Sequence, residues 1–455
     1  MTDRQNVEIN SSLASTQTCD PIKMEERSGY KNTKLGWIPE KWETPRIDEV
    51  FDFLSTNSLS RNQLNYEDEE GVFNIHYGDI HATYKQPILD FDNENRVPKI
   101  NKDIVLSVNT DFLKDGDLVI ADASEDYEGV GEAIELKNIN GKKVTSGLHT
   151  FAFRDKTNKT AEDFRVYIFR NLLVKKALKT IATGSKVYGI SKGNIQKFRI
   201  VLPPLPEQQK IATILSTWDN AIAKQQQLIV AKQKFKKGLM QLLLTGKKRF
   251  EGFEGDFKTS KLGDIFTIQG RVGWKGYKKE DLREEGPIVI GAKHVNNQLL
   301  NLSDPTYLSI EKYEESPEIM IKINDLLIVQ RGSLGKIALI EEEIGKATIN
   351  PSMAILRPKN DNISVKYIYY FLCSDFSQNL IMSETGSTGV PMISQKQIAT
   401  FKMTYPSLIE QQKIASVLSA ADKEIGLLQS ELAQLQGQKR GLMQRLLTGA
   451  VRVKI

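Results

Sequence analysis

A chain of 455 residues with 40% apolar and 26% charged side chains has the composition of an ordinary soluble globular protein, long enough for two or three domains. No apolar run approaches the roughly 18 residues of a membrane span, and the N-terminus lacks the layout of a signal peptide. Only Cys19 and Cys373 are present, so we expect no disulfide framework and predict a cytoplasmic protein. The four histidines and two cysteines are scattered, which predicts no metal site.

Charge is distributed unevenly along the chain. The net charge is +5, but residues 36–137 hold 23 acids and 9 bases, whereas residues 138–249 hold 23 bases and 5 acids. Part of this difference can be neutralised within one folded domain. The basic excess still indicates a face that attracts phosphate.

The first 35 residues are polar and show no period, which predicts a mobile tail over 1–35. A first domain, residues 36–204, follows. Its short β-like runs are separated by Asp, Asn and Gly clusters, as strands of a mixed sheet usually are. The predicted strands are Arg46–Phe53, Gly71–His76, Asp117–Ala121 and Thr150–Phe153.

A helix is predicted over Ala161–Ala182 because Phe164, Tyr167, Ile168 and Leu172 share one face. A polar loop at 183–189 and an extended segment at 198–202 complete the first domain. The second domain, residues 250–407, repeats this order with weak identity. For example, Asp325 corresponds to Asp117.

The most informative feature is a stretch that occurs twice. Leu205–Gly246 aligns without gaps with Leu408–Gly449 at an offset of 203, and 22 of the 42 positions are identical. Apolar residues recur in steps of three and four, which predicts long coiled-coil helices. Gly246 and Gly449 are suitable C-terminal stops. The seam residues are Ile211, Leu215, Trp218, Ile222, Ile229, Leu239 and Leu243 in the first copy and Ile414, Leu418, Ala421, Ile425, Leu428, Leu432, Leu435, Leu442 and Leu446 in the second.

Charges predict how the two helices pair. The acid-free run 220–250 holds eight bases, while the acids of the second helix, Glu410, Asp422, Glu424 and Glu431, all lie at or before residue 431. Antiparallel pairing would bring these charges together and place the two domains at opposite ends of a spacer. The alternative, in which each helix packs only on its own domain, would leave the second seam exposed.

The predicted fold class is therefore α/β (α+β). Two such domains alternate with two long repeated helical regions, residues 205–249 and 408–455. The helices form an antiparallel coiled coil, and the whole chain has an internal pseudo-two-fold repeat.

Each long helix is entered through Pro-x-x-x-Glu-Gln-Gln-Lys-Ile-Ala, at residues 203–212 and 406–415, and each ends in Gly-Leu-Met-Gln-x-Leu-Leu-Thr-Gly. With these motifs, the chain from residue 36 onward resembles the specificity (S) subunit of Type I restriction-modification enzymes. The resemblance implies that each α/β domain is a target recognition domain that reads one half of a split, asymmetric DNA sequence. The paired helices would fix the distance between the half-sites.

The same resemblance implies a division of labour with partner proteins. Two methyltransferase (M) subunits would dock on the paired helices, and restriction/translocase (R) subunits would then join. S-adenosylmethionine, ATP and Mg are expected on those partners, so this chain would carry no cofactor, metal or catalytic residue.

Two motifs could instead indicate an enzyme. Asn350-Pro351-Ser352-Met353 is similar to an amino-methyltransferase motif but lacks its second proline and its aromatic residue. Asp117 with Glu135-Leu136-Lys137 has the outline of a nuclease carboxylate set, but Asp325 in the second domain has no matching Glu-x-Lys. We interpret Asp117 as a strand-entry turn residue. Two alternatives to a DNA reader stay open: a self-contained nuclease, and a coiled-coil scaffold whose α/β domains bind protein or RNA.

DNA contacts are expected from polar loops that carry bases and aromatics. The run 271–279 is the best of them because Gly permits close approach, although each residue could equally belong to an ordinary solvated loop. The DNA-binding candidates are Tyr84, Lys85, Ser185, Lys186, Tyr188, Arg271, Trp274, Lys275, Tyr277, Lys278, Arg331, Ser333, Ser387 and Thr388.

The spacer and docking candidates lie on the repeated helices. The Glu-Gln-Gln motif is expected to cap each helix and dock partner subunits rather than read DNA. The candidates are Glu207, Gln208, Gln209, Trp218, Glu410, Gln411, Gln412, Leu418, Leu428 and Leu435.

Overall fold

The computed structural model describes residues 28–68, 70–84, 86–271, 276–384 and 390–455. The chain divides into two units. The first comprises Met1–Lys224 with Leu432–Ile455, and the second comprises Gln225–Glu431. Each unit therefore takes the first part of one repeated helix and the last part of the other.

Two mixed sheets form the centre of the first unit. Its strands are β1 (Tyr30–Thr33), β2 (Gly36–Pro39), β3 (Phe51–Leu54), β4 (Leu64–Asn65), β5 (Phe73–Ile75), β6 (Ile88–Asp90), β7 (Lys99–Ile100), β8 (Leu118–Ala121), β9 (Ala123–Ser124), β10 (Ala133–Lys137), β11 (Val144–Ser146), β12 (Thr150–Asp155) and β13 (Tyr188–Gly189). One sheet has the order β3-β12-β8-β10-β6 and the other β11-β5-β7-β4. The β10–β6 and β11–β5 pairs are parallel. Strands predicted over 71–76, 117–121 and 150–153 are thus confirmed.

Strand β8 explains why this unit has two cores. Successive side chains of a strand point to opposite faces of its sheet. Leu118 and Ile120 pack into the core that the helices cover, whereas Val119 and Ala121 pack into a second core that also contains Ile75 of the other sheet.

Among its described residues the first unit also has five short α-helices, and two of them correct the sequence prediction. The predicted helix 161–182 is broken at Asn171, whose backbone is extended and whose side chain accepts a hydrogen bond from Leu173 N at 2.8 Å. Leu172 consequently leaves the buried face and is 52% exposed. The helices are α1 (Ile47–Val50), α2 (Tyr77–Ala82), α3 (Arg165–Arg170), α4 (Leu172–Ile181) and α5 (Lys192–Lys197).

Two predicted boundaries also change. The strand predicted over Arg46–Phe53 begins as the helical turn α1, because the Glu49 carboxylate accepts the Arg46 N–H at 2.9 Å and closes that turn. The predicted tail 1–35 overlaps β1, where the Tyr30 hydroxyl donates to Gly449 O at 2.6 Å. Residues 1–27 lie outside the described residues.

The second unit repeats this plan with smaller sheets. Its strands are β14 (Lys258–Lys261), β15 (Phe266–Gly270), β16 (Leu282–Ile290), β17 (Val295–Asn296), β18 (Leu299–Leu300), β19 (Tyr307–Leu308), β20 (Leu326–Val329), β21 (Ile337–Leu339), β22 (Ala347–Ile349), β23 (Met353–Pro358) and β24 (Lys402–Tyr405). The sheet β15-β23-β20-β21 lies beside the sheet β19-β16-β22, and β20 separates two cores as β8 does. The short helices, numbered after the first long helix, are α7 (Leu262–Ile265), α8 (Ile310–Glu314), α9 (Val365–Cys373), α10 (Asp375–Ser383) and α11 (Gln395–Thr400).

The repeated stretches form the long helices α6 (Leu205–Leu243) and α12 (Leu408–Leu447). Each is about 60 Å long at 1.5 Å per residue. Gly246 and Gly449 follow their ends with φ of +70° and +77°, as expected of C-terminal stops. The seam residues are buried or half-buried throughout the two helices.

Within each unit, the segments of α6 and α12 run antiparallel. In the second unit Lys232 pairs with Glu424 at 2.5 Å, Lys236 with Asp422 at 2.5 Å, and Gln225 donates to Glu431 at 3.0 Å. In the first unit Asp219 pairs with Lys439. Four polar residues interrupt the apolar seams: Gln225, Lys232, Lys236 and Lys439. Each binds a side chain of the opposite helix, so the three lysine charges are paired with carboxylates.

Candidate nucleic-acid interface

The polar loop of the first unit is open to solvent. Ser185 and Lys186 are exposed, while Tyr188 is half-buried because its strand, β13, pairs with β9 opposite Ser124. The Tyr188 ring lies 5.1 Å from the ring of Tyr127. Two loops, 122–129 and 183–189, thus form one surface.

The loop 122–129 is absent from the sequence-based candidates. Tyr127 is 44% exposed and has two contacts with Lys179. The Tyr127 hydroxyl donates a hydrogen bond to the Lys179 backbone oxygen, and the Lys179 ammonium lies 5.4 Å from the Tyr127 ring. The sequence does contain a signal for this loop. If Asp117 corresponds to Asp325, the same offset of 208 residues aligns Ser124 with Gly332, which lies in the candidate loop 331–333.

The second unit brings the equivalent segments together. Arg331 and Ser333 are exposed, Arg331 forms a backbone bridge with Met392, and Gly332 N donates to Pro391 O at 2.9 Å. The candidates Ser387 and Thr388 lie outside the described residues.

Tyr84 does not fit its predicted role. It is 7% exposed and packs in the second core of the first unit, which also contains Ile80 and Leu89. Burial also raises the pKa of its phenol well above the ordinary value. Its neighbour Lys85 lies outside the described residues.

Arg271 is also buried, which corrects the prediction that it reads DNA directly. Its guanidinium donates to Ile349 O and to the Thr348 hydroxyl, each at 3.0 Å, and lies 5.7 Å from the Tyr277 ring. Burial lowers the pKa of this guanidinium. Arg271 therefore ties the start of its loop to β22, while Tyr277 is half-buried and Lys278 is exposed. Trp274 and Lys275 lie outside the described residues.

The first two residues of each Glu-Gln-Gln motif are buried and serve the fold of their own unit. Gln208 accepts from Ala161 N at 2.9 Å and donates to Pro203 O at 2.8 Å. Gln411 makes the same contacts with Ser364 N at 3.0 Å and Pro406 O at 2.9 Å. Both amides fasten a long helix to its α/β domain, so their hydrogen-bonding groups are used within the unit. Only Gln209 and Gln412 are exposed.

The two glutamates of these motifs each bind an arginine that follows the end of the opposite long helix. Glu207 pairs with Arg452 and accepts from Trp42 Nε1 at 2.9 Å. Glu410 pairs with Arg249 through two hydrogen bonds of 2.6 and 3.0 Å. Arg249 and Arg452 are separated by the same 203 residues as the glutamates. We call these two ion pairs the helix-end clamps.

A second contact repeats along the helices. The Tyr167 hydroxyl donates to Asp219 at 2.9 Å, and the Tyr370 hydroxyl donates to Asp422 at 2.8 Å. Each aspartate also binds a lysine of the other helix, Lys439 or Lys236. Among the remaining docking candidates, Leu418 is fully buried and Trp218, Leu428 and Leu435 are half-buried.

The carboxylates that outlined a nuclease have structural partners. Asp117 accepts from Lys114 N at 2.7 Å and binds Arg154, and Asp325 repeats this with Lys322 N and Arg357. Both are strand-entry turn residues, as predicted for Asp117.

Glu135 has a different structural task, since it accepts the backbone N–H groups of Asp163 and Val166 at the start of α3. Burial raises its pKa to about 8. In the part of the chain that the structure describes, no cluster of His, Cys, Asp and Glu is arranged to hold a metal ion. No helix in those same ranges has the length and apolarity needed to cross a membrane.

The chain thus consists of two α/β units of the same plan. Each unit has a polar loop surface and contains segments of both repeated helices, which is the organisation of a protein with two similar binding domains. The family model for the Type I restriction modification DNA specificity domain matches residues 39–232 and again residues 254–436. The chain belongs to this family, as the repeated motifs predicted, and a specificity subunit is favoured over a coiled-coil scaffold that binds protein or RNA.

Relatives support this assignment along nearly the whole chain. The putative type I restriction enzyme MjaX specificity subunit of Methanocaldococcus jannaschii is 24% identical over 95% of this chain and 99% of its own. The MjaVIII specificity subunit of the same organism is 26% identical over 92% and 94%. The EcoR124I/EcoR124II specificity subunit of Escherichia coli is 32% identical over 37% of this chain and 42% of its own.

Solved structures share the fold. The S subunit of the Type I restriction-modification system of M. genitalium superposes with a TM-score of 0.52 at 18% identity, covering 91% of this chain and 96% of its own. A chain from the structural work on complex assembly and conformational transition of the type I R-M system gives a TM-score of 0.57 at 16% identity, covering 91% and 99%.

Proposed function

We propose that this chain is the non-catalytic DNA-reading subunit of a type I restriction-modification complex, and that each unit reads one half of a split, asymmetric site. The observation that carries the proposal is the double match of one DNA specificity domain, once in each half of the chain. Two copies of a reader in one chain fit a site with two half-sites.

The repeated contacts support a constant scaffold for the two readers. The helix-end clamps, the tyrosine–aspartate contacts and the buried glutamines occur in both units with the same chemistry. We propose that α6 and α12 act as a paired spacer between target recognition domains 36–204 and 250–407. Half-sites on one side of B-DNA lie about 34 Å apart, a distance that stiff helices of about 60 Å can set.

The proposed partners are double-stranded DNA, two methyltransferase subunits and restriction/translocase subunits. The exposed Gln209 and Gln412 and the outer faces of the long helices are the surfaces left for docking after the clamps are formed. S-adenosylmethionine, ATP and Mg would then act on the partners, and this chain would supply the sequence specificity of adenine methylation or restriction.

Exchange of residues 36–203 for the matching domain of another specificity subunit tests the proposal. The expected result is a methylation pattern that changes in one half-site and keeps the other half-site and the spacing. The reverse exchange, of residues 250–407, is the matched control and should change the other half-site. A change of both half-sites in either chimaera would contradict modular reading.

Salt dependence and cleavage assays separate the remaining classes. A DNA reader should lose affinity steeply as salt rises, with a slope that counts its phosphate contacts. A protein-binding scaffold should show no such slope. Incubation of the purified chain with DNA and Mg²⁺ should give no cleavage, and cleavage would establish a nuclease instead.

A further inference from the structure

The two units share a backbone arrangement where the central strands of their sheets end. In the first unit Gly147 N donates to Ile75 O at 2.8 Å, Asp122 N to His149 O at 3.1 Å, and Ile190 N to Asp122 O at 2.8 Å. In the second unit the corresponding bonds are Asn350 N to Ile290 O at 2.9 Å, Gln330 N to Ser352 O at 2.8 Å, and Ile393 N to Gln330 O at 2.9 Å. We call this arrangement the strand-end site.

Matching the hydrogen bonds fixes which residues are equivalent. Asp122 takes the place of Gln330, and His149 takes the place of Ser352. The turn 76–78 after β5 matches 291–293 after β16, because both follow the strand that pairs in parallel with β11 or β22. The backbone and the buried isoleucines are thus repeated, while the polar residues Asp122 and His149 and the turn 76–78 have different side chains in the second unit.

In the first unit the strand-end site is aromatic and ionisable. His149 is 52% exposed at its side chain and its Nδ1 lies 3.2 Å from Asp122 Oδ1. The Tyr77 ring lies 4.8 Å from that of His76, 5.3 Å from that of His149 and 6.4 Å from that of His81. Three of the four histidines of the chain therefore meet here, although they are far apart in sequence.

Not all of these groups are available to a ligand. His76 is 7% exposed and its Nδ1 accepts from Gly78 N, and His81 Nε2 is bound to Ala123 O at 3.0 Å. Asp122 and His149 remain at the solvent side of the cluster. His149 also has a φ of +55°, in the left-handed region, where Asn, Asp and His are the commoner residues other than Gly.

In the second unit the same place is an open cavity of about 310 Å³, whose lining combines the Asn350 amide and the Ser352 and Thr306 hydroxyls with Lys293 and His294. Asn350 accepts from both the backbone N–H and the hydroxyl of Ser352, which fixes the turn whose Asn-Pro-Ser sequence resembled a methyltransferase motif. Gln330 is half-buried beside it and donates to Pro351 O at 3.2 Å. Lys293 and Tyr277 complete the edge of the cavity.

We infer that the strand-end site of each unit is where base edges are read, by Asp122 and His149 in the first unit and by Gln330 and Ser352 in the second. The inference rests on the proposed function, because it assigns residues to the half-site reading proposed there. One scaffold that presents different polar groups at equivalent points is what two readers of unlike half-sites require.

The chemistry of these groups suits bases in the major groove. A carboxylate accepts from the amino group of cytosine, a glutamine amide can form two hydrogen bonds with adenine, and a serine hydroxyl can either donate or accept. The loop 122–129 adjoins the strand-end site of the first unit at Asp122, and the loop 331–333 adjoins that of the second unit next to Gln330. In the second loop Arg331 and Ser333 are exposed and are placed for phosphate contacts that fix the register of the protein on DNA.

The test uses the full chain assembled with methyltransferase subunits and a duplex library in which both half-sites are randomised. The variants are Asp122→Asn and His149→Asn in the first unit and Gln330→Glu in the second. Asn tolerates the left-handed backbone of position 149 and so preserves the turn. Each variant should weaken binding to the wild-type sequence about ten- to a hundredfold, as expected for loss of a base contact. Each should also change the selected bases in one half-site only.

Asp103→Asn and Glu342→Gln, at exposed positions of the two units, are the matched controls and should select the wild-type sequence. Thermal unfolding of every variant is measured in parallel, and the His149 and Gln330 variants decide the outcome if Asp122→Asn fails to fold. Unchanged base selection by folded variants would overturn the inference and leave the proposed function intact. A wild-type assembly that selects no sequence would overturn the proposed function itself.

Discussion

The two units differ in a selective way. Contacts that fasten each α/β domain to the long helices are repeated group by group: glutamate with arginine, tyrosine with aspartate, and glutamine with a backbone N–H and a proline carbonyl. At the strand-end sites the buried Ile75 and Ile190 are matched by Ile290 and Ile393, but the polar side chains Asp122 and His149 are replaced by Gln330 and Ser352. The attachment contacts are therefore repeated while the polar groups at the strand-end sites differ, as expected where function is placed on a fixed scaffold.

A second difference lies inside the sheets. Glu135 in β10 pairs with Leu118 of β8, and the equivalent strand β21 places Leu339 opposite Leu326 of β20. Only the first unit thus carries a buried carboxylate at this point. The Glu135 carboxylate accepts hydrogen bonds at the start of α3 instead of packing against apolar side chains. Because burial raises the pKa of this carboxyl group, we expect the stability of the first unit to depend on pH.

The comparison of the two units can first be tested in the helix seam, where equivalent substitutions should destabilise both units by the same amount. Leu215 and Leu418 are equivalent, and both are fully buried. Leu215→Ala and Leu418→Ala should each lower the free energy of unfolding by about 3–4 kcal/mol, since both lose buried methyl groups and leave a cavity. Denaturant titration measures the effect, with the exposed Ala433→Gly as a helix control. Values that differ by more than about 2 kcal/mol would show that the seam is not energetically repeated.

The helix-end clamps should be unequal because Glu207 has an additional donor in Trp42. Arg452→Met leaves a buried carboxylate with the indole N–H as its remaining hydrogen-bond donor, which should cost about 3 kcal/mol. Arg249→Met should cost at least as much, because Glu410 is 1% exposed and Arg249 supplies both of its clamp hydrogen bonds.

Chemical unfolding measures both clamps, with the exposed Arg440→Met as control. The double variant Glu207→Gln with Arg452→Met should recover part of the loss, since no unpaired charge stays buried. An Arg452→Met protein as stable as the control would mean that the clamp is only a surface ion pair.

The buried Glu135 predicts a pH dependence that is specific to the first unit. Its pKa is raised from 4.5 to about 8 in the folded chain, so between these values the folded state keeps a proton that the unfolded state releases. The free energy of unfolding should therefore fall as pH rises through this window, with a slope of up to about 1.4 kcal/mol per pH unit from this group.

Glu135→Gln should remove this contribution. The difference in unfolding free energy between wild type and variant should shift by about 2 kcal/mol between pH 5.5 and 7.5. Because other groups titrate equally in both proteins, their effects cancel in the difference. Parallel pH profiles would show that Glu135 is ionised in the folded state and that its two backbone hydrogen bonds outweigh its burial.

The sequence predicted the helices well and the site poorly, for physical reasons. The heptad period and the terminal glycines are local features of one helix, so the sequence predicts α6 and α12 directly. The opposed charges of the two helices then predict how they pair. The sequence predicts one continuous helix across Asn171, because the residues around this asparagine do not distinguish a helix cap from a position inside a helix. Tyr84 and Arg271 are candidates by residue type, but Tyr84 is buried in the core between the two sheets of its unit, and Arg271 is bound to β22, which is distant in sequence.

The histidine cluster shows the same limit more sharply. His76, His81 and His149 meet only because β5 and β11 pair in parallel and β9 passes beside α2, and the sequence alone does not contain that topology. The resemblance to a known family identified the function of the chain, but it does not assign the reading residues that we propose, because the two units differ at those positions.

The smallest expected effect concerns phosphate contact, and it separates positioning from reading. Arg331 is exposed next to the strand-end site of the second unit, and its equivalent in the first unit is the buried Ala123. Arg331→Ala should weaken binding to every duplex about two- to tenfold and reduce the slope of log K against log salt by about 0.9, as loss of one phosphate contact does. Salt titrations on cognate and scrambled duplexes measure this, with the exposed Lys346→Ala as control. A shift in base preference with an unchanged slope would instead make Arg331 a base reader, and the surface of the second unit would then extend beyond the residues that it shares with the first.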